Sequence, residues 1–261
     1  GNNDINTDII TNATISLKIV DKTKDFFVCE LRYDTMYVNT KNISMNIEIN
    51  SVKTGNIKSN NINEVISAII NRYCNTPIFL KINNQGLVTE IINYEIFKNI
   101  ILKDIDSVNS SIQPQVKMQI INMISEKQIK NSVEQIFNYL PENQEINNNS
   151  WKKTSIIESN GMKLNTENNY KIVKTENENI IINFESNIRS TSDNVSTIQG
   201  NKVQYDLKGI SKGNIKVNVN NGFIIEQSSK TSIEGFIMIE YGGNNMNIPT
   251  KIFGETKIMQ I

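Results

Sequence analysis

Residues 214–227 read NIKVNVNNGFIIEQ. Ile215, Val217 and Val219 alternate with polar residues up to Asn220-Asn221-Gly222, and Phe223 and Ile225 resume the alternation beyond it. Side chains of an extended chain point to opposite faces in turn, so this period of two marks a half-buried strand on each side of a break. A glycine closing a short Asn-rich loop supplies the left-handed backbone that reverses the chain. The segment predicts a hairpin with a three-residue loop, Asn220 to Gly222, pairing Val219 with Phe223 and Val217 with Ile225. Two arms this regular make the C-terminal half of the chain antiparallel sheet.

The same chemistry recurs upstream at residues 77–97, PIFLKINNQGLVTEIINYEIF. A four-residue loop, Asn83 to Gly86, would pair Ile82 with Leu87, Leu80 with Thr89 and Ile78 with Ile91 on one face. Before it, residues 13–53 alternate apolar and polar positions, as in Ile15, Leu17, Ile19 and Ile43, Met45, Ile47, Ile49, which predicts a meander of about four strands. Between the two lies NINEVISAIINRY, residues 61–73. Asn61 followed by Glu64 forms a capping-box pattern, and Val65, Ile66, Ile69, Ile70 and Tyr73 recur at helical spacing, so a short amphipathic helix is expected. Over Tyr94 to Leu140 the period changes to that of helices, with stripes Val108, Ile112, Val116, Ile120 and Ile129, Val133, Ile136, Phe137, Leu140. Two or three helices fit there, with Pro114 marking a helix start or a kink.

After Leu140-Pro141 the stretch PENQEINNNS has no period, and strand-like runs follow at 150–158, 170–175, 179–188, 203–207, 213–227, 232–241 and 248–259. The expected fold class is α+β. It consists of extensive antiparallel sheet, curled or packed as a sandwich, with two or three helices inserted mid-chain and one short helix earlier. Residues 1–11 read as a polar tether, 12–140 as meander, hairpin and helices, and 141–261 as the β-rich half. The two Asn/Gly hairpins fit either a weak internal duplication or independent origins in an Asn-rich chain.

Composition narrows function mainly by exclusion. The 261 residues carry 27 Lys plus Arg against 27 Asp plus Glu, so no net charge draws the chain to nucleic acid or an anionic bilayer. There is no His, which removes the usual general base near neutral pH, the usual metal ligand and the centre of Ser/His/Asp and Cys/His devices. The 43 Asn and 47 Ile against 2 Ala are what an AT-rich genome writes. Cys29 and Cys74 lack metal-ligand spacing and read as two buried thiols or, in an oxidising compartment, a disulfide. No metal and no cofactor are expected. Gly242-Gly243 reads as a hairpin loop and Trp151 as a buried anchor.

The segments LPENQEINNNSWKK, GISKGNIKVNVNNGFIIEQ and FLKINNQGLVTEI resemble a family of uncharacterised exported bacterial proteins, largely lipoproteins of the Bacteroidetes lineage. Pro141, Ile146, Ser150 and Trp151, then Gly213, Gly222 and Phe223, fall on that family's pattern, whereas Asn148-Asn149 stand where the family has Gly-Asp. The resemblance implies a cell-envelope location, periplasmic or at the outer membrane, held by an upstream lipidated Cys after signal removal. It implies no reaction.

The expected function is accordingly a non-catalytic envelope protein that binds an apolar small molecule, a glycan or an envelope protein, with no nucleic acid, and with the membrane reached only through the lipid anchor. The alternative is a His-free hydrolase using paired carboxylates about 5 to 9.5 Å apart. The mid-chain helices should cover part of the sheet and leave a groove. Leu80, Ile82, Trp151, Val217 and Ile225, from or beside the hairpin arms, line that groove or the core beside it.

Overall fold

The alternation near the N-terminus becomes two long strands rather than several short ones. In the computed structural model, which describes residues 7–41, 46–53, 55–141, 146, 148–159, 162–198, 201–241 and 244–260, β1 (Asp8–Lys22) pairs antiparallel with β2 (Phe26–Lys41) from Asp8↔Lys41 to Lys22↔Phe27. Of the tether expected over residues 1–11, Asp8 to Thr11 lie in β1 instead, and residues 1–6 fall outside the described residues. With β3 (Asn46–Asn50) the meander has three strands, not four, since bulges at Thr14/Ile15 and Ile19/Asp21 let the first pair bend without breaking.

Next, α1 (Ile62–Cys74) begins at Asn61, whose side chain accepts from the Asn63 N–H. Its apolar stripe Val65, Ile69, Ile70 and Tyr73 is buried against β2 and β3. The Tyr73 ring contacts Tyr33 at 5.1 Å and Phe97 at 5.6 Å. The first hairpin joins β4 (Ile78–Asn83) to β5 (Val88–Ile91). Asn83 donates its N–H to Leu87, and Gly86, at φ 80°, donates to Asn83, so the loop holds three residues and not four. The pairs are Ile82↔Val88 and Leu80↔Ile91, and Leu87 is exposed. The expected partners Leu87 and Thr89 are displaced because the Asn83 side chain accepts from both Gln85 and Leu87 N–H groups and closes the turn one residue earlier.

Three α-helices follow: α2 (Tyr94–Ile101), α3 (Gln113–Met123) and α4 (Glu126–Ile136), with one 3₁₀ turn at Ile105–Ser107. Pro114 sits in the first turn of α3, where its missing N–H costs nothing, so it starts the helix. The cover of the five-stranded sheet β1-β2-β4-β5, with β3 on β2, is chiefly α1 and not the later helices. α4 reaches β5, where Glu134 Oε1 accepts the Val88 N–H at 2.9 Å.

Cys29 on β2 and Cys74 at the end of α1 are both buried and unpaired. Burial pushes the Cys29 thiol up to about 11, so almost none of it is thiolate near pH 8. Native protein at pH 8 is expected to resist iodoacetamide, and both thiols to alkylate once denaturant is added. Mass spectrometry checks this, and rapid labelling of the native protein contradicts it.

The chain separates into two compact units, Gly1–Asn138 and Tyr139–Ile261. In the second, β6 (Ser150–Ser159), β7 (Met162–Glu176), β8 (Asn179–Ser190), β9 (Val195–Ile198), β10 (Asn201–Asn218), β11 (Ile224–Tyr241) and β12 (Asn244–Met259) form one antiparallel seven-stranded sheet. Its order is β12-β11-β10-β8-β7-β6, with β9 on β10. Its strands run well past the expected ends: β10 joins the expected run 203–207 to the start of 213–227 through Gly209. At Gly213 the strands approach so closely that a Cβ would sit 2.1 Å from the Ser228 carbonyl oxygen.

The hairpin of residues 214–227 is also present with a changed loop. Asn218 donates to Phe223 and Gly222, at φ 70°, donates to Asn218, leaving four residues in the turn where three were expected. Val217 pairs with Ile224, and Ile225 is the extra residue of a bulge, so the expected pairs Val217/Ile225 and Val219/Phe223 do not form. Gly242-Gly243 lie outside the described residues, between the paired ends Tyr241 and Asn244.

Candidate binding face

One face of the second sheet carries its core. Trp151 on β6, Tyr170 on β7, Ile182 on β8, and Ile215 and Val217 on β10 form a cluster with Tyr139. The indole stacks on Tyr170 at 5.3 Å and 17°, and its Nε1–H donates to the Tyr139 carbonyl at 2.9 Å. Trp151 is thus the anchor expected of it. The Tyr139 hydroxyl donates to the Gly222 carbonyl, tying this cluster to the β10–β11 turn. Burial pushes the hydroxyls of Tyr139 and Tyr170 up, so both stay neutral.

A second cluster on the same face, Ile188, Tyr205, Leu207 and Ile233, is joined by Leu164, Met162 and Ile237. Between the clusters runs a polar row. The register aligns Lys153, Asn168, Ser186, Ser211 and Thr231 across five strands. Asn168 and Ser186 are buried, and a buried polar group must be hydrogen-bonded or destabilise the fold. Asn168 Nδ2 donates to the Lys153 carbonyl and to Thr166 Oγ1 at 3.2 Å each, and its Oδ1 accepts from Ser186 at 2.6 Å. Ser211 and Thr231 bond at 2.8 Å. This row pins the register, since a slip of one residue would break every bond in it.

Towards β12 the same face is not covered. Met246, Ile248 and Ile252 pair with Ile239, Ile237 and Ile233, so they continue the apolar surface outward from the second cluster. They are 59%, 37% and 42% exposed, and Ile258 further along is exposed too. Contiguous exposed apolar surface rimmed by polar residues is the mark of a binding site. This strip was not anticipated from sequence, because residues 248–259 show a strand without showing that it is an edge.

The five expected site residues divide between the units. Leu80 and Ile82, on β4, are wholly buried in the first unit's core. Trp151 and Val217 are buried in the second unit's first cluster, and Ile225 is half-buried in its bulge. The four buried residues act as packing. Among the described residues no group of three or more His, Cys, Asp and Glu is placed to hold a metal ion, and no helix is long and apolar enough to cross a membrane.

These features define an α+β protein of two sheet-based units, the second a broad antiparallel sheet with an open apolar edge. The chain belongs to a family of unknown function, DUF6263, whose model matches residues 25–224 and so runs from the start of β2 to the start of β11. No curated protein and no solved structure matches it.

Proposed function

We propose that the chain is a non-catalytic binding protein of the bacterial cell envelope whose second unit takes an apolar ligand, of the acyl-chain kind, along the core face of β11 and β12. The observation that carries this reading is the uncovered row Met246, Ile248 and Ile252 continuous with a packed apolar cluster. These side chains are aliphatic. A glycan would call for exposed stacking rings on this face, but the only indole is buried and the exposed rings of Phe236 and Phe253 lie on the opposite one. The envelope location and an upstream lipid anchor rest on the resemblance at Pro141 to Trp151 and Gly213 to Phe223.

The carboxylates lend the hydrolase alternative no support. A general acid needs a pKa pushed up by burial. Hydrogen bonds from Lys163 and Thr191 instead draw Asp193 down to about 2, a bond from Lys174 lowers Glu176, and bonds from Ser16 and Arg32 lower Asp34.

Titration with a dansyl-labelled fatty acid tests the reading. Saturable binding is expected, and Met246→Asp with Ile252→Asp should weaken it about tenfold or more, given the transfer free energy of buried aliphatic groups. Both positions are exposed, so the thermal midpoint should hardly move. No saturable binding, or equal affinity in the variant, ends the proposal.

A further inference from the structure

The open edge of β12 has a second property, independent of the ligand reading. β12 pairs only with β11 among the described residues, so one side of its backbone has no strand beside it. Gln260 donates its N–H to the Ile225 carbonyl, and no register shift occurs from Asn244 to Met259, so the even-numbered residues bond β11. The N–H and C=O groups of the odd-numbered residues point outward. Pro249, which has no N–H, falls on an outward position and so interrupts the free edge while leaving the β11 ladder whole. From Lys251 to Met259 the outward ladder is continuous.

We infer that this edge pairs antiparallel with the same edge of a second copy of the chain, about a two-fold axis at Phe253. The side chains choose that register. Centred on Phe253, the pairing sets Lys251 opposite Glu255 of the other copy and Glu255 opposite its Lys251. The two Phe253 rings meet on the axis, and Ile248 faces Ile258 twice on the other side of the sheet. Shifting the centre to residue 254 sets Lys251 against Lys257. Shifting it to 255 sets Glu255 against Glu255, and shifting it to 252 leaves Lys251 against Phe253. Like charges directly opposite destabilise a ladder, so the centres at 254 and 255 are penalised, and the centre at 252 forfeits the Lys–Glu pairs.

The outer face supports the same register. Glu255 lies 3.1 Å from Lys230 on β11, and Lys251 stands opposite Glu234, itself 3.9 Å from Lys208 on β10. Joining the edges brings Glu255, beside Lys230, against the other copy's Lys251, beside Glu234, so charges of opposite sign meet at the join. It also gives a partner to Phe253, which at 76% is the most exposed of the outer face's large apolar side chains among the described residues. Lysines and proline normally blunt an edge strand against association. Here a centre at 256 would also oppose Glu255 to Lys257, but it joins only residues 253 to 259, whereas the centre at Phe253 joins residues 247 to 259 with Lys251 and Glu255 matched twice.

The test is made on the full chain. Sedimentation velocity over a range of concentrations should show a reversible monomer–dimer equilibrium. Phe253→Cys should give a covalent dimer under mild oxidation, because residues facing each other in a hydrogen-bonded pair have Cα atoms about 5.5 Å apart, within disulfide reach. Lys257→Cys should not, since its counterpart would lie about 27 Å away, eight residues along the strand. Lys251→Glu should weaken the dimer about tenfold or more, and adding Glu255→Lys should restore it. A chain that stays monomeric, equal cross-linking by Lys257→Cys, or a double variant no tighter than Lys251→Glu overturns the inference. None of these substitutions touches the even-numbered face used for the ligand test, so the two proposals fail separately.

Discussion

Gly213→Ala is expected to destabilise the second unit by about 3 kcal/mol or more, at the upper end of what overpacking a closed site costs. The added methyl has nowhere to go. A Cβ built there lies 2.1 Å from the Ser228 carbonyl oxygen, 2.9 Å from the Ser229 Cα and 2.9 Å from the Phe184 ring, and two of these three neighbours are backbone. Relief therefore requires β10 and β11 to separate, which also disturbs the row in which Ser211 and Thr231 bond two pairs away. Gly254 is the matched control, because its Cβ would meet only Thr231 Cβ at an ordinary 3.9 Å. Gly254→Ala should be neutral, or stabilising by up to about 1 kcal/mol through the unfolded chain. Urea unfolding followed by Trp151 fluorescence, which reports on the second unit alone, separates the two. Equal midpoints for both variants would show that the close approach at Gly213 is not a constraint.

The glycines also mark where sequence reading stopped. Gly86 and Gly222 were legible as turn residues because the alternation on either side is regular, and both hold positive φ. The loop lengths were not legible, and came out exchanged, three and four residues for an expected four and three. Loop length depends on which Asn side chain closes the turn: Asn83 captures two N–H groups, and on β11 a bulge at Ile225 absorbs the difference. The expected runs 203–207 and 213–227 stop on either side of Gly209, yet β10 runs through it from Asn201 to Asn218. A glycine required by a neighbouring strand looks the same in sequence as a glycine required by a turn.

β7 shows the converse. The expected strand began at Tyr170, whereas it starts at Met162, because Asn165, Thr166, Asn168 and Asn169 carry no apolar alternation. Thr166 and Asn168 do sit on the core face, where hydrogen bonds to Ser155 and Ser186 replace hydrophobic contact. Only the three-dimensional register reveals that pattern. The candidate site was hidden for a related reason: lining and core residues share one alternation, and the difference between buried Val217 and exposed Ile252 lies in whether another element covers the strand.

Trp151→Ala is expected to cost about 3 to 5 kcal/mol, the range for removing a large aromatic from a packed interior. Three interactions go at once. The indole stacks on Tyr170, which in turn lies 6.1 Å from the Phe184 ring, so its loss opens one side of a row of three aromatics. Its Nε1–H no longer reaches the Tyr139 carbonyl. Tyr139, whose hydroxyl bonds the Gly222 carbonyl, loses the partner that fixes its backbone, and the β10–β11 turn loosens with it. Trp151→Phe separates these effects: it keeps most of the apolar contact and removes the hydrogen bond, so a loss of about 1 to 3 kcal/mol is expected from the unsatisfied carbonyl and the smaller ring. Far-UV circular dichroism in urea reads both variants, since neither retains an indole. A cost below about 1 kcal/mol for Trp151→Ala would mean that the cluster closes over the gap, and that the indole is not what holds Tyr139 to the sheet.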